Sequence, residues 1–134
     1  MMGPSVEIFG PRARFHHLGI AVQSIDATQA GLVKIEDSIQ SVTVAFLEVA
    51  NQTIELIEPL GNDSPINQNL KKGIRLVHFC IEVPNLEIAL NACAKSNFHP
   101  ISRAEPAVAF EMRKILWVMN QKFGLVELLE NKNL

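Results

Sequence analysis

The sequence predicts an α+β protein made of two copies of one unit, each a strand, a helix and then further strands. Three observations predict it. The segment His17-Leu18-Gly19-Ile20-Ala21-Val22 is answered 61 residues on by His78-Phe79-Cys80-Ile81-Glu82-Val83. Thr53-Ile54-Glu55-Leu56-Ile57-Glu58 is answered 72 residues on by Leu125-Val126-Glu127-Leu128-Leu129-Glu130. Between these repeats the alternation that marks strands gives way to helical spacing. Each half thus opens on a strand with a histidine and closes on a strand with a glutamate. Two copies packed about a pseudo-twofold axis bring equivalent positions together, so a cation site built from both pairs is expected.

The elements follow in chain order. Residues 1–14 read as a loose arm, broken by Gly3, Pro4, Gly10 and Pro11. Phe15 to Val22 is a strand with His17, Gly19 and Ala21 on one face. Ser24 or Asp26 caps a short helix expected to run to about Lys34. Val42–Val49 and Gln52–Glu58 form a hairpin that turns at Ala50-Asn51. Asp63-Ser64-Pro65 reads as a cap with a first-turn proline, opening a linker helix that Gly73 ends. The second copy starts with a strand from Arg75 to Val83. A helix follows over Asn85–Lys95, with Leu86, Ala89, Leu90 and Cys93 at helical spacing. After an irregular stretch from Pro100 to Glu111, a hairpin of Ile115–Met119 and Leu125–Glu130 closes the chain. Val44-Ala45-Phe46-Leu47 matches Ile115-Leu116-Trp117-Val118 at an offset of 71. The first half therefore lacks about ten residues, in its helix or second strand, and one wall of the structure is expected to be short.

Composition narrows the function. The 134 residues carry 48% hydrophobic and 19% charged side chains and a net charge of −2. Nucleic-acid binders need a basic patch for phosphate, and none stands out among 12 Lys and Arg. The apolar runs are strand-length, short of the roughly 20 residues that span a bilayer. No signal peptide is visible before Phe15, and Cys80 and Cys93 are too few for a disulfide framework, so reduced thiols in a cytoplasm are expected.

Residues 15–130 resemble the vicinal oxygen chelate superfamily, the glyoxalase and bleomycin-resistance fold. The likeness is strongest to methylmalonyl-CoA epimerases and their glyoxalase-like relatives. His16-His17-Leu18-Gly19-Ile20-Ala21-Val22 resembles the family's opening strand. Val44-Ala45-Phe46-Leu47 with Ile54-Glu55-Leu56-Ile57-Glu58-Pro59-Leu60 resembles its first hairpin. Asp63-Ser64-Pro65-Ile66, Val77-His78-Phe79-Cys80-Ile81-Glu82-Val83 and Gly124-Leu125-Val126-Glu127-Leu128 resemble its linker, fifth strand and last strand. The chain departs from the epimerase pattern at Val77 and Val44, which replace a second histidine and a second carboxylate. The resemblance implies two βαβββ modules forming an open, cup-shaped eight-stranded barrel, the first module shortened. It assigns 15–60 to the first module, 61–74 to the linker helix and 75–130 to the second, in one domain of 1–134.

The family's metal ligands fall on His17, Glu55, His78 and Glu127. Two imidazoles and two carboxylates suit Ni, Co, Mn, Fe or Zn and leave positions for substrate oxygens. The implied reaction is an epimerisation or isomerisation of an acyl-CoA thioester or thiol adduct. Glu127 is the expected base and Glu55 its partner, acting beside a chelated carbonyl. The alternative is a metal-free small-molecule binding protein of the bleomycin-resistance kind, using the same cup. An extradiol dioxygenase generally needs a further His or Tyr, and the chain has no Tyr.

Lys71, Lys72 and Arg75 either meet CoA phosphates or, for the two lysines, complement a helix C-terminus. Arg103 and Arg113 either hold a substrate carboxylate or flank a solvated loop. Phe110, Trp117 and Cys80 read as core, His16 as pointing away from the ligands, and His99 as exposed. A homodimer is expected.

Overall fold

The computed structural model describes residues 3–134; Met1 and Met2 of the expected arm lie outside the described residues. The chain forms β1 (Arg14–Ala21), α1 (Ile25–Thr28), β2 (Ile35–Asp37), β3 (Val42–Val49), β4 (Gln52–Pro59), α2 (Ile66–Lys71), β5 (Leu76–Val83) and α3 (Leu86–Ala94). It continues with β6 (His99–Pro100), β7 (Glu105–Ala107), the single 3₁₀ turn η1 (Val108–Phe110), β8 (Arg113–Asn120) and β9 (Gly124–Glu130). The strands join in one mixed sheet of order β2-β3-β4-β1-β5-β9-β8-β6, with β7 also paired to β8. The sheet is open and curls into a cup. It has nine strands, where eight were expected, because the second strand of the second half is broken into β6 and β7.

Register shows the duplication directly. Strands β1 and β5 pair antiparallel at the centre, His17 opposite Cys80 and Gly19 opposite His78. On either side a parallel partner follows: Gly19 faces Glu55 of β4, and its equivalent Cys80 faces Glu127 of β9. One step outward, Phe46 of β3 faces Glu55 and Trp117 of β8 faces Glu127. The β3–β4 hairpin closes at Ala50-Asn51, both with positive φ of 50° and 64°, the mirror-image turn that matches strand twist.

The helices pack outside the cup. Asn85 caps α3 through Ile88 N, and Leu86, Ala89 and Cys93 bury against Phe98, Leu116, Val118, Val126 and Leu128. The N-terminal arm belongs to this layer too, with Ile8 and Phe9 packed against it and Phe9 5.1 Å from the Phe98 ring. It is not the loose segment its glycines and prolines suggest. Helix α1 is capped by Ser24 but stops at Thr28, short of Lys34, since Gly31 (φ +85°) turns the chain toward β2. Helix α2 begins after Pro65, which stands at the N-cap position and not in the first turn, and Ser64 Oγ accepts from Ile66 N at 3.4 Å.

Each half uses the second glutamate of its repeat the same way. Glu58 Oε1 accepts from Ile25 N at 2.9 Å, and Glu130 Oε2 accepts from Leu86 N at 3.2 Å. Both carboxylates thus sit at the positive N-terminus of their own half's helix and lock it to the last strand.

The length difference lies between the start of each helix and the strands β2 and β7. Helix α1 has 4 residues against 9 in α3, and nothing in the first half corresponds to β6. The edge of β3 is covered only along Ile35–Asp37, whereas β6 and β7 both cover β8.

Candidate metal centre

Alternation along β1, β4, β5 and β9 turns His17, Glu55, His78 and Glu127 to the inside of the cup, and the register brings all four to the pseudo-twofold axis. His17 Nε2 lies 3.3 Å from His78 Nε2, 3.3 Å from Glu55 Oε1 and 3.3 Å from Glu127 Oε1. His78 Nε2 lies 3.4 Å from each of the two carboxylate oxygens. All four side chains are buried, and their donor atoms fall within 4.8 Å of one another. Atoms sharing one ion with bonds of about 2.0–2.2 Å stand about 3.0–4.4 Å apart, so the spacing suits a common cation.

The two imidazoles are held in different ways. In the β1–β5 ladder, Phe15 and His17 face the consecutive residues Ile81 and Cys80, which leaves His16 as the extra residue of a β-bulge. The bulge swings His16 beside His17, Nδ1 to Nδ1 at 2.9 Å, and not away from it as strict alternation requires. Burial, then the charge of His17, lower the His16 pKa, keeping that ring neutral and able to accept the Nδ1 proton of His17. Such a bond leaves the His17 Nε2 lone pair facing the centre.

His78 has Val77 at the equivalent place, and its Nδ1 has no hydrogen-bond partner. Packing holds it instead. Its ring lies on the backbone of Gly19, where a Cβ would come within 2.3 Å of Cε1, and meets the Trp117 ring edge-on at 4.8 Å. His17 in turn meets Phe46 edge-on at 5.8 Å and stacks on Phe110 at 5.6 Å. Phe110 and Trp117, read as core from sequence, are therefore the aromatic walls of the site. Gly19 was missed as a site residue, although its place two positions after His17 in a β-rich strand was a signal for a close approach.

The electrostatics favour a cation. Burial disfavours charge on His17, but the carboxylates of Glu127 and Glu55 outweigh it and raise its pKa to about 9. Burial pushes the Glu127 carboxyl up, and the imidazoles of His17 and His78 outweigh it and hold the group ionised. Glu127 Oε1 stands within reach of both Nε2 atoms yet bonds to neither, an unsatisfied buried oxygen aimed at the point between them. That orphaned atom and the hard–borderline donor set fit a divalent ion. Cys80 adds no nucleophile: burial first, then Glu127, push its thiol pKa well up.

The centre forms the floor of a cavity of about 270 Å³. Val42, Val44, Ile57, Ile66 and Val77 wall it on one side, and Ala107, Phe110, Ile115, Trp117 and Leu125 on the other. Asp37, Gln40, Asn69 and Ser102 are its polar lining beyond Glu55, His78 and Glu127; His17 lies behind these three. The basic residues considered from sequence do not line the cavity. Lys71, Lys72, Arg75 and Arg103 are exposed, and Arg113 Nη1 is bound 2.7 Å from the buried Glu82 Oε2. His99 is exposed, as expected.

A nine-stranded open cup with mirrored histidine and glutamate strands defines a class, and sequence comparison gives the same one. The Glyoxalase/Bleomycin resistance protein/Dioxygenase superfamily matches residues 16–117, and the chain belongs to that superfamily. It is 30% identical over 131 residues to the ethylmalonyl-CoA/methylmalonyl-CoA epimerase of Cereibacter sphaeroides, across 86% of this chain and 96% of that one. It is also 30% identical over 100 residues to human mitochondrial methylmalonyl-CoA epimerase, covering 66% of this chain and 57% of that one. A solved variant of Streptomyces coelicolor methylmalonyl-CoA epimerase, in complex with 2-nitronate-propionyl-CoA, shares the fold. Its TM-score is 0.72 at 20% identity, over 88% of this chain and 94% of that one. Among the described residues no helix is long and apolar enough to cross a membrane.

Proposed function

We propose that the protein is a metal-dependent isomerase or epimerase that moves a proton on the carbon next to a chelated carbonyl of an acyl thioester. The observation that carries this reading is the meeting of His17, Glu55, His78 and Glu127, three of which, Glu55, His78 and Glu127, face a largely apolar cavity. The relatives named as acyl-CoA epimerases support the substrate class. The four residues would hold a divalent ion, which when bound supplies Lewis-acid polarisation of a carbonyl and its neighbouring oxygen.

The chain's own residues supply the rest. Glu127 takes the proton from the substrate carbon. Glu55, across the centre on β4, would return a proton from the opposite side, having taken that proton from solvent before substrate binds, and Glu127 would release its own to solvent afterwards. Return to the same carbon inverts it; return to the adjacent carbon isomerises the substrate. Val44 stands on the third strand where a further carboxylate would otherwise serve, so the two centre glutamates carry both transfers. His16 fixes the His17 tautomer, while Gly19 and Trp117 fix the His78 ring. Phe46, Phe110 and Trp117 exclude water from the reacting atoms, which strengthens each charge interaction there. A metal-free binding role would use the same cup, but it leaves the buried carboxylates of Glu55 and Glu127 without a cation.

The test is solvent deuterium exchange into the acidic carbon of methylmalonyl-CoA by protein loaded with Mn, Co, Ni, Fe or Zn. Exchange that needs the metal and disappears in Glu127→Gln is the expected result. Equal metal content in wild type and in a His17→Ala/His78→Ala double variant would overturn the centre itself.

A further inference from the structure

The cup has two sides related by the pseudo-twofold axis, and they differ in chemistry. On the second-half side the inner-face residues Glu82 and Arg113 form an ion pair at 2.7 Å, with Arg14 and Asn131 also bonded to the carboxylate. Phe110 lies against Arg113, its ring centre 6.0 Å from the guanidinium carbon. Cys80 and Leu129 are sealed beneath, both at 0% exposure, while Phe110 and Ile115 face the cavity. Charge and aromatic bulk occupy that side. The equivalent residues of the first half are Ala21 for Glu82 and Val42 for Arg113, small and apolar, and Gln40 stands where the second half places Phe110. Val42, Val44 and Ile57 consequently line open space, with Ile66 of α2 as its far wall.

Three of the four polar residues that line the cavity beside the centre are engaged, and Asn69 is the fourth. Asp37 Oδ1 accepts from Gln40 N at 3.0 Å, and Gln40 Oε1 accepts from Trp117 Nε1 at 3.2 Å. Ser102 Oγ accepts from Trp117 N and donates to Arg103 O. Among the described residues no Lys or Arg lines the cavity. An anionic substituent would find no cationic side chain there and only the Asn69 and Gln40 amides as polar neighbours, whereas a hydrocarbon one would bury against four aliphatic side chains. The volume of about 270 Å³ falls below the roughly 300–1,000 Å³ of pockets that enclose whole small ligands. The acyl end of a thioester fits, and its nucleotide handle stays outside.

We propose that the cup selects thioesters whose acyl group carries a hydrocarbon substituent several carbons long, larger than methyl, seated between Val42, Val44, Ile57 and Ile66. The inference rests on the proposed reaction only for the location of the reacting carbon beside the centre. Two measurements test it. The first is deuterium exchange into methyl-, propyl- and hexylmalonyl-CoA. The second, independent of turnover, is calorimetric binding of the free 2-methyl-, 2-propyl- and 2-hexylmalonates to Mn-loaded protein.

Each pair of added methylenes is expected to raise kcat/KM and affinity about tenfold. Val44→Phe lowers the hexyl values more than the methyl values, and Val44→Ala shifts the preference toward longer chains, which keeps the test readable if the larger side chain perturbs folding. A flat or falling series in both measurements overturns the inference, as does failure of every malonate to bind. Exchange that is fastest with the methyl thioester overturns it while leaving the reaction standing. A rising binding series without exchange in any thioester supports it and removes the reaction.

Discussion

The two halves carry the same centre and different walls. His17 and His78, and Glu55 and Glu127, are interchangeable by register, whereas almost everything that supports them has diverged. His17 is set against His16 of its own half and Phe110 of the other; His78 is set against Trp117 of its own half and Gly19 of the other. One side of the cup is filled by an ion pair and an aromatic ring, the other by space. The comparison teaches that duplication supplies a symmetric set of donors, and that Ala21 and Val42, where the other copy has Glu82 and Arg113, leave one side without the ion pair that occupies the other.

The sharpest way to break the symmetry of the centre is to neutralise its glutamates one at a time. Glu127→Gln is expected to lower deuterium exchange by at least about 10³-fold while the melting temperature holds. Glu55→Gln is expected to impair exchange less and metal retention more, read by chelator competition. Identical effects of the two changes would mean that base and partner are not distinguished.

The next largest effect comes from giving the first half the second half's residue, Gly19→Cys. A side chain there needs the space that the His78 ring occupies at 2.3 Å. His78 must leave the centre, so metal affinity should fall about 100-fold or more with a fold that still unfolds cooperatively. The His16→Val change makes β1 resemble β5 around Val77 and removes only a hydrogen bond to a ligand. About tenfold weaker metal binding is expected, and unchanged binding would show that packing by Phe110 alone orients His17.

The ion pair that fills the second side should be visible in stability. Burial raises the Glu82 pKa, but bonds from Arg113, Arg14 and Asn131 outweigh it and bring it down from 4.5 to about 2. The folded value lies below the unfolded one, so the stabilisation is fully present above pH 4.5 and is lost as pH falls toward 2. It amounts to at most about 3 kcal/mol. Glu82→Gln leaves Arg113 without its partner and should cost about 2–3 kcal/mol at pH 7. It should also flatten the acid limb of a stability–pH profile, and a profile unchanged by the substitution would remove the pair from the account.

Much of this was legible in the sequence because strand alternation and a duplicated motif are both local patterns. Four donors at equivalent positions of repeated strands could be placed on one axis without knowing any contact. The shortened wall was legible from the offset between Phe46 and Trp117. The supports were not. An aromatic residue in an apolar strand reads the same whether it backs a core or an imidazole, so Phe110 and Trp117 gave no sign of their contacts. His16 was misplaced because alternation presumes a regular ladder, and a bulge depends on the partner strand. Strands of three residues, such as β2 and β7, are too short to show a period. The packing of Ile8 and Phe9 is a long-range event that glycines and prolines in the arm conceal.

The smallest expected effect tests whether the short wall is also the weak one. Glu58 and Glu130 cap α1 and α3 through one backbone N–H each, so their chemistry is matched and only the helices differ. Removing a capping group costs about 1 kcal/mol where the helix beyond it bears on the core. Glu130→Ala releases α3, which covers Val83, Phe98, Leu116, Val118, Val126 and Leu128, and should lower urea stability by about that amount. Glu58→Ala releases a helix of 4 residues over the smaller cluster of Val22, Ile25, Ala45 and Leu56, and should cost about half as much. If Glu58→Ala is the more damaging of the two, α1 supports more of the sheet than its length implies. The opening on the first-half side would then be braced by that cap.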